Sequence, residues 1–421
     1  MKKIHSTREV VGTLLVLLFV AGCKKHDNRP PETSFQLAVT IDASFGSVSR
    51  LGLTDTFVVH LNNPSVAVAA PVVLHIPAGA NTRSGRKVND STWNDTVDIS
   101  RNQSVPVTVT AGNGNSGQYA IVYNYVFTNH VFSGGARPIY PLGVYFQGDT
   151  MYVPSSAGLY VSTDGGMNYK LYTVSNGLGD STVWGVFVQK GILYAATSGG
   201  LSISADGGQH FSNHSFESSP GKGDSVLVNA VYVQGDSVFA GTQGGLWISG
   251  DGGAHYANRS NGLGDPNVLC VNVQGNTVYA GTLKGLSISV NGGVSFTNYT
   301  NGLGNLGGSS RCNGLSVQPG EIYVATNGGL SVTANGGASF INYASGTGLG
   351  ANWTNYVSVQ GGIVRVGTNG GLSFAASGDA GYHNYTTDNG LGSDVVYGLA
   401  VRGTTVYAAT GGGLTVIGSR Q

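Results

Sequence analysis

Short apolar runs separated by glycine-rich polar turns recur every 40 to 45 residues from about residue 124 to the end of the chain. The most regular marker is a Gly-Leu pair preceded by a small or polar residue. Its leucines are Leu159, Leu201, Leu246, Leu286, Leu330, Leu372 and Leu414. Tyr, Phe or Arg lies seven positions before each of them, and an aromatic residue lies ten positions after each of the first six. Columns that keep their register in this way predict a repeat architecture.

Each unit has the pattern of four short β-strands. In the fourth unit the apolar runs are 268–273, 278–282, 286–289 and 295–299, and the turns between them are rich in Gly and Asn. Such turns suit positive φ angles and tight reversals. Four strands in a unit of this length are typical of a β-propeller blade, because neighbouring blades cover both faces of each sheet. An open solenoid is the alternative architecture.

The two ends of the repeat array predict a closed ring. The seventh unit has strand runs at 396–401, 406–410 and 414–417 and lacks the fourth. The fourth-strand pattern, an aromatic residue followed by x-Asn-Tyr or x-Asn-His, occurs once more at 127–130, ahead of the first unit. We therefore predict an all-β, seven-bladed β-propeller over residues 124–421. In it, the early segment supplies the outer strand of the last blade and leaves no exposed internal edge.

Residues 35–123 lack this repeat. They contain alternating apolar runs at 35–41, 56–61, 72–76, 96–99, 105–110 and 118–123, separated by Asn, Pro, Gly and Ser. Six or seven strands in about 90 residues are typical of a small Ig-like β-sandwich. We expect this domain to be a spacer ahead of the propeller.

The N-terminus has the pattern of an export signal. Basic residues precede an apolar run over 10–20, and small residues follow it up to Cys23. The run is short for a membrane-spanning helix, and this order of segments describes a secretory signal. Ending in Val-Ala-Gly-Cys, it resembles a bacterial lipobox, which implies lipidation of Cys23. We expect a signal peptide over 1–22 and a tether over 23–34. The mature protein would then be anchored in the bacterial cell envelope, at the outer membrane; an uncleaved anchor is the alternative.

Composition narrows the range of partners. Charged residues make up 10% of the 421, and 21 basic side chains balance 21 acidic ones. Such a surface releases few counterions from a phosphate backbone, so we expect no nucleic-acid partner. Apart from Cys23, the cysteines are Cys270 and Cys312, at different columns of neighbouring innermost strands. We expect two free buried thiols rather than a disulfide, in a monomeric protein.

The turn between the third and fourth strands carries a recurring Ser-x-Asp-Gly-Gly pattern. The residues at its acidic position are Asp164, Asp206, Asp251, Asn291 and Asn335, with Ser377 in the sixth unit. This pattern resembles the Asp-box of BNR repeats, found in sialidases, sortilin-like receptors and photosystem assembly factors. The Asn-Gly-Leu-Gly segments look like propeller repeats of two-component regulators. The resemblance implies the fold without fixing a function, and it implies that the Asp-box residues are structural, bonding backbone groups across a tight hairpin.

No catalytic constellation stands out in the sequence. A sialidase-like site needs an arginine cluster and a tyrosine with a glutamate partner, whereas the propeller segment has few arginines and only Glu217 and Glu321 as glutamates. The nine histidines form no cluster with metal-ligand spacing. We expect no catalytic residues, metal or cofactor. A glycoside hydrolase is the alternative, because acidic residues of the connecting loops share one face of the ring.

One column near the start of the innermost strands gathers binding chemistry. It reads Leu142, Trp184, Asn229, Leu269, Asn313, Asn355 and Tyr397. Aromatic rings and amides suit sugars or peptides, so we expect the two aromatics and three amides to bind a glycan or protein partner. Glu217 lies in the longest departure from the repeat, on the same face, where irregular loops carry specificity. Ordinary packing between blades is the alternative explanation of the column, and a scaffold or assembly factor is an alternative function.

Overall fold

The computed structural model describes residues 127–418 apart from 134–137, 219–220, 309, 377–380 and 404; between 38 and 126 it describes the backbone of the strands alone. Residues Thr128–Val416 belong to one compact unit, and the strands before residue 124 belong to another.

Seven four-stranded antiparallel sheets make up the first unit, so the predicted seven-bladed propeller is confirmed. In each blade the chain runs from an innermost strand through a second and a third strand to an outermost one. We call the end of the ring at which the innermost strands begin the front face. Because the strands are antiparallel, the turns between second and third strands also lie there. The turns between first and second strands, and between third and fourth, lie on the opposite back face.

The strand bounds repeat closely from blade to blade. The innermost strands are Tyr145–Gln147, Val183–Gln189, Val228–Gln234, Val268–Gln274, Cys312–Gln318, Thr354–Gln360 and Val396–Arg402. The second strands are Thr150–Ser155, Ile192–Thr197, Ser237–Thr242, Thr277–Thr282, Glu321–Thr326, Ile363–Thr368 and Thr405–Thr410. The third strands are Gly158–Ser162, Gly200–Ser204, Gly245–Ser249, Gly285–Ser289, Gly329–Thr333, Gly371–Ala376 and Gly413–Gly418. The outermost strands are Lys170–Tyr172, Ser212–His214, Ala257–Asn258, Thr297–Tyr299, Ile341–Tyr343, His383–Tyr385 and, for blade 7, Val126–His130.

A few short elements complete this unit. Strands Phe132–Ser133 and Pro138–Ile139 pair with each other. Single-turn 3-10 helices lie in the connections after the outermost strands of blades 1, 5 and 6, at Val174–Asn176, Ser345–Thr347 and Thr387–Asn389.

One turn chemistry links the second and third strands of every blade. The last residue of the second strand is a buried Thr, or Ser155 in blade 1, and its hydroxyl donates to the carbonyl of the glycine three positions later at 2.7–3.0 Å. That glycine has φ between +116° and +135°, which L side chains avoid. The Gly-Leu marker therefore repeats because the turn needs its glycine and the core buries its leucine; the seven marker leucines are at most 2% exposed.

The hydrophobic core lies between blades rather than inside one of them. One cluster joins Leu159 and Tyr172 of blade 1 to Val183 and Leu193 of blade 2, and similar clusters join most other neighbouring pairs. Each blade is thus apolar on both faces, which explains why its strands read as small and hydrophobic rather than alternating.

The predicted early strand closes the last blade. Val126–His130 pairs beside the third strand of blade 7. Asn129 accepts a hydrogen bond from Thr415 Oγ1 at 2.6 Å and donates to the Gly390 carbonyl at 3.0 Å. In blade 2, Asn213 makes the same pair of bonds, to Ser202 Oγ at 2.5 Å and to the Gly177 carbonyl at 2.7 Å. The orphan segment therefore reproduces the side-chain chemistry of an ordinary outermost strand.

Blades 7 and 1 meet at a junction with contacts of its own. Arg402 forms an ion pair with Asp149, and its guanidinium lies 5.6 Å from the ring of Phe146. Phe146 in turn packs edge-on against Tyr407, with 4.8 Å between ring centroids. These contacts join the last blade to the first and complete the ring.

Nine strands precede the propeller and pair into two sheets. The first sheet contains, in order, Ala38–Ile41, Ala69–His75, Thr92–Asp98 and Arg86–Asn89. The second contains Gly46–Arg50, Thr56–Leu61, Ser116–Tyr123, Val105–Thr110 and Asn81–Thr82. The connections and side chains that would define an Ig-like sandwich lie outside the described residues, as do the signal segment, Cys23 and the tether, so these stay predictions. Within the described part of the chain, no helix has the length and apolarity to span a membrane.

Candidate functional site

The innermost strands of blades 2 to 7 carry a β-bulge at their front-face end, and the segment ahead of the blade 1 strand has the equivalent irregularity. In blade 2 the pairing with the second strand shifts between Val183 and Gly185, and the same shift recurs in blades 3 to 7. In blade 1, Pro141 pairs with Ser155 while the Leu142 amide donates to the Pro154 carbonyl at 2.8 Å, which leaves Leu142 as the extra residue. A bulge bends a strand locally and re-aims the side chain of the inserted residue.

The inserted residues are the predicted binding column. They are Leu142, Trp184, Asn229, Leu269, Asn313, Asn355 and Tyr397. All seven therefore lie at one end of the ring, around the mouth of its channel. Trp184 is 41% exposed, and the other six are partly exposed. The indole Nε1–H of Trp184 donates to Ser198 Oγ at 3.0 Å, which holds the ring in one orientation.

The three asparagines of the column join neighbouring blades. Each donates its side-chain N–H to the main-chain carbonyl of the first residue in the next innermost strand. The bonds are Asn229 to Val268 at 2.8 Å, Asn313 to Thr354 at 2.8 Å and Asn355 to Val396 at 3.0 Å. These amides therefore have a packing role, and their contact with a ligand stays a prediction.

Three further aromatic side chains lie at the same end of the ring. Trp353 directly precedes the innermost strand of blade 6, and Tyr140 has the equivalent position in blade 1, two residues before Leu142; each is 38% exposed. Tyr356 follows the bulge of blade 6 and is 36% exposed. Gly, Ala or Cys occupies the Tyr356 position in the other six blades, so blade 6 alone has a large side chain there. Sequence reasoning missed all three because aromatic residues are a minority in their columns.

One positively charged residue lies at the same end of the ring as these aromatic side chains. Arg311 directly precedes the innermost strand of blade 5 and is half-buried. Its Nε–H donates to Asn313 Oδ1 at 2.7 Å, and burial lowers the pKa of its guanidinium. The sequence did hold a signal for this residue. Of the seven residues that lie one position before the start of the repeat's innermost strand, residue 311 alone is an arginine.

The two cysteines lie where the innermost strands of blades 4 and 5 meet. Both are thiols; Cys312 is buried and Cys270 is half-buried, so the expectation of two buried thiols fits Cys312 better. The Cys270 thiol contacts the Cys312 carbonyl at 3.6 Å. Burial raises the pKa of Cys270 to about 12 and that of Cys312 well above its usual value. Both are therefore protonated at neutral pH and weakly nucleophilic.

The carboxylates of the front face hold their own loops. Glu217 accepts N–H groups of Gly221 and Lys222 within the irregular loop after blade 2. Asp180 accepts the Thr182 N–H at 2.8 Å, and Asp394 accepts the Thr387 N–H at 2.6 Å. Among the described residues no three His, Cys, Asp or Glu side chains are grouped as metal ligands. Glu217 belongs to the same face as the bulge column, although its carboxylate is committed to its loop.

The Ser-x-Asp-Gly-Gly turns lie on the opposite, back face. Ser204 Oγ donates to Asp206 Oδ1 and accepts the Gly208 N–H, both at 2.8 Å. The Asp206 carboxylate also accepts the His210 N–H at 3.0 Å. These hydrogen bonds hold the pKa of Asp206 well below its usual range, and the bond from the His210 backbone contributes most. The same bonding recurs at Asp164, Asp251, Asn291 and Asn335, and the Ser377 turn lies outside the described residues.

Comparisons with known proteins identify the fold. No protein-family model and no curated protein matches the chain. Among solved structures, the WD40 β-propeller domain of Doa1 is similar with a TM-score of 0.53 and 12% identity, over 71% of this chain and 97% of that one. YCF48 bound to D1 peptide is similar with a TM-score of 0.51 and 13% identity, over 69% and 100%. An ancestral GH74 enzyme has a TM-score of 0.51 and 18% identity, over 66% of this chain and 44% of that one. At these identities the likeness shows a β-propeller and leaves function to the site.

Proposed function

We propose that this protein is a lipid-anchored binding module of the bacterial cell envelope that receives a glycan at the front face of its propeller. The observation that supports the proposal best is the seven-fold bulge. A rigid backbone feature inserts one residue per blade at the same end of the ring, and those residues include Trp184 and Tyr397.

The aromatic side chains favour a glycan over a large protein surface. Trp184 and Trp353 are exposed on blades 2 and 6, and the amides of Asn229, Asn313 and Asn355 belong to the same end of the ring. Aromatic rings accompanied by amides suit sugar rings, which present an apolar face and a polar rim. A protein-binding scaffold would instead present a broad contiguous apolar surface. A peptide is nonetheless the competing ligand, because YCF48 bound to D1 peptide has a similar fold.

A hydrolase is less well supported. Glycoside hydrolysis needs two carboxyl groups facing each other across the scissile bond, about 5–10 Å apart. The front-face carboxylates at Asp180, Glu217 and Asp394 each accept main-chain N–H groups of their own loops. Their hydrogen bonds therefore account for their presence without a reaction.

The envelope part of the proposal rests on the N-terminal sequence. We propose that Cys23 becomes the lipidated first residue of the mature chain, because it follows a basic segment, an apolar run and small residues. Lipidation would tether the propeller to the outer membrane.

Binding can be tested with the full chain carrying Cys23→Ser, so that it is released without lipid. On an array of bacterial and plant glycans it should bind a defined group of saccharides, and Trp184→Ala should lose at least about tenfold in affinity because a stacking surface is removed. Met167→Ala, which alters an exposed apolar residue on the back face, should bind as the parent does. Retention of an immobilised peptide library with no saccharide bound would contradict the glycan assignment, as would equal binding by the Trp184 variant.

A further inference from the structure

The front face contains a positive charge without a partner. Among the described residues no carboxylate lies within ion-pair distance of Arg311, and its two terminal guanidinium nitrogens make no hydrogen bond. Arginine remains charged at neutral pH even when partly desolvated. The terminal nitrogens are not among the buried polar atoms that lack a partner, so a ligand can replace water as their acceptor.

Three other cations, in or next to blades 2, 4 and 6, are neutralised or enclosed. Lys222 lies 3.3 Å from Asp224, and Lys284 lies 3.3 Å from Asp265. Arg365 is buried at 3% exposure and donates to the carbonyls of Gln360 and Ile363. Arg311 differs from these three in being both accessible and unneutralised. Arg259 is also exposed, but it follows an outermost strand, whereas Arg311 precedes an innermost one.

Asn313 fixes the orientation of this guanidinium. Its Oδ1 accepts the Arg311 Nε–H at 2.7 Å, while its Nδ2 donates to the Thr354 carbonyl at 2.8 Å. With Nε engaged, the edge formed by the two terminal nitrogens is the one left for a ligand. Two parallel N–H groups on this edge match the two oxygens of a carboxylate.

The same hydrogen-bond chain leads to an aromatic residue of the next blade. Thr354 directly follows Trp353, which occupies in blade 6 the position that Arg311 occupies in blade 5. Trp353 is 38% exposed, and Tyr356 three residues further on is 36% exposed. An exposed indole and a bidentate cation at equivalent positions of neighbouring blades are suited to a ring that carries a carboxylate at its edge.

We propose that Arg311 and Trp353 form a subsite for an acidic saccharide, in which the guanidinium binds the carboxylate of a uronic acid and the indole stacks on its ring. This inference rests on the proposed glycan-binding function and adds the charge of the ligand to it. Asn313 is a positioning residue that acts through Arg311.

The test compares each ligand with its own neutral form. Calorimetric titration of the full chain carrying Cys23→Ser would use galacturonate, glucuronate and mannuronate oligosaccharides and, for each, the carboxyl-reduced product with the same linkages. At least one uronate should bind about tenfold or more tightly than its reduced form, since a charge-assisted bidentate pair is lost in the latter. Arg311→Gln should abolish that preference while the weaker binding of the reduced sugar remains.

A matched control removes the same charge elsewhere. Arg259 is exposed at the end of the outermost strand of blade 3, on the outer rim of the front face, so Arg259→Gln should keep the full preference. Arg311→Lys should recover only part of it, because an ammonium group cannot form the parallel pair. Thermal unfolding of each variant shows whether the ring is intact.

The outcomes separate the two proposals. Equal affinity for uronate and reduced sugar, or an unchanged preference in a folded Arg311→Gln variant, overturns the acidic-saccharide subsite and leaves glycan binding standing. Binding of neutral glycans with no binding of uronates would also overturn the subsite and leave glycan binding standing. Absence of any saccharide binding by the folded parent overturns both.

Discussion

The two faces of the propeller follow different rules. On the back face both backbone and side chains repeat: the Ser or Thr and Asp or Asn of the turn recur in five described blades, and six of seven innermost strands end in Gln. Four of these glutamines donate to a carbonyl of the next blade at 2.6–3.1 Å. On the front face the backbone repeats as strictly, with a bulge in each blade, but the inserted side chain is Leu, Trp, Asn or Tyr.

This difference distinguishes residues that stabilise the ring from residues that are available to bind a ligand. Where a side chain holds the ring together, as Ser204 does, the repeats keep its type. Where the backbone alone makes the feature, as at the bulge, the side chain is free to differ between blades and to meet a ligand. The glycine of the front-face turn should be intolerant of an added Cβ, the back-face turn intolerant of side-chain change, and the exposed bulge residues tolerant of substitution.

The largest effect is expected from the front-face turn itself. Gly329 has φ +120°, and a Cβ there would overlap the carbonyl oxygen of Tyr343. We expect Gly329→Ala to lower the free energy of unfolding by about 3 kcal/mol, because neither the strained φ nor the backbone overlap can relax cheaply. Urea unfolding followed by tryptophan fluorescence measures this. Gly346→Ala is the control, since nothing lies within 4 Å of a Cβ at Gly346; equal losses in the two variants would refute the steric argument.

A smaller effect is expected from the back-face turn. Ser204→Ala removes a buried hydroxyl that accepts the Gly208 N–H and donates to Asp206. The unpartnered N–H should cost about 1–2 kcal/mol of unfolding free energy, measured in the same urea series. Ser212→Ala, an exposed serine of the neighbouring outermost strand, should change it little. If Ser204→Ala were silent, the repetition of the turn would need a cause other than stability.

The smallest effect on stability is expected at the bulge. Trp184→Ala removes a ring that is 41% exposed, so its cost should be about 0.5 kcal/mol or less, as for surface substitutions generally. Trp247→Ala is the matched control, because Trp247 packs against Phe216 with 5.5 Å between ring centroids and should destabilise the ring several times more. A comparable loss of unfolding free energy in Trp184→Ala would show that Trp184 stabilises the ring, and the contrast between the two faces would then not hold at this residue.

The architecture could be predicted from the sequence because packing in the core and the geometry of the turns require the same residue types at the same positions of each repeat. Strand limits in blade 4 differ from the expected ones by at most two residues, and the orphan strand was found because Asn129 must reproduce the bonds of Asn213. The bulge could not be predicted, since it depends on which residues pair across strands. The alternative explanation of the column, packing between blades, describes the bond of Asn229 to the next blade. The sites at Arg311 and Trp353 could not be predicted, because one copy of a side chain leaves no periodic trace.

The closing strand also imposes an order of events on biogenesis. Asn129 and Thr415 are bonded although 286 positions separate them, so the first partner is synthesised long before the second. At about 5–20 residues per second, that delay is on the order of 15–60 seconds. During this interval the early strand has no third strand of blade 7 to pair with. Closure of the ring therefore follows the arrival of the C-terminal residues, and the early strand is an unpaired edge until then.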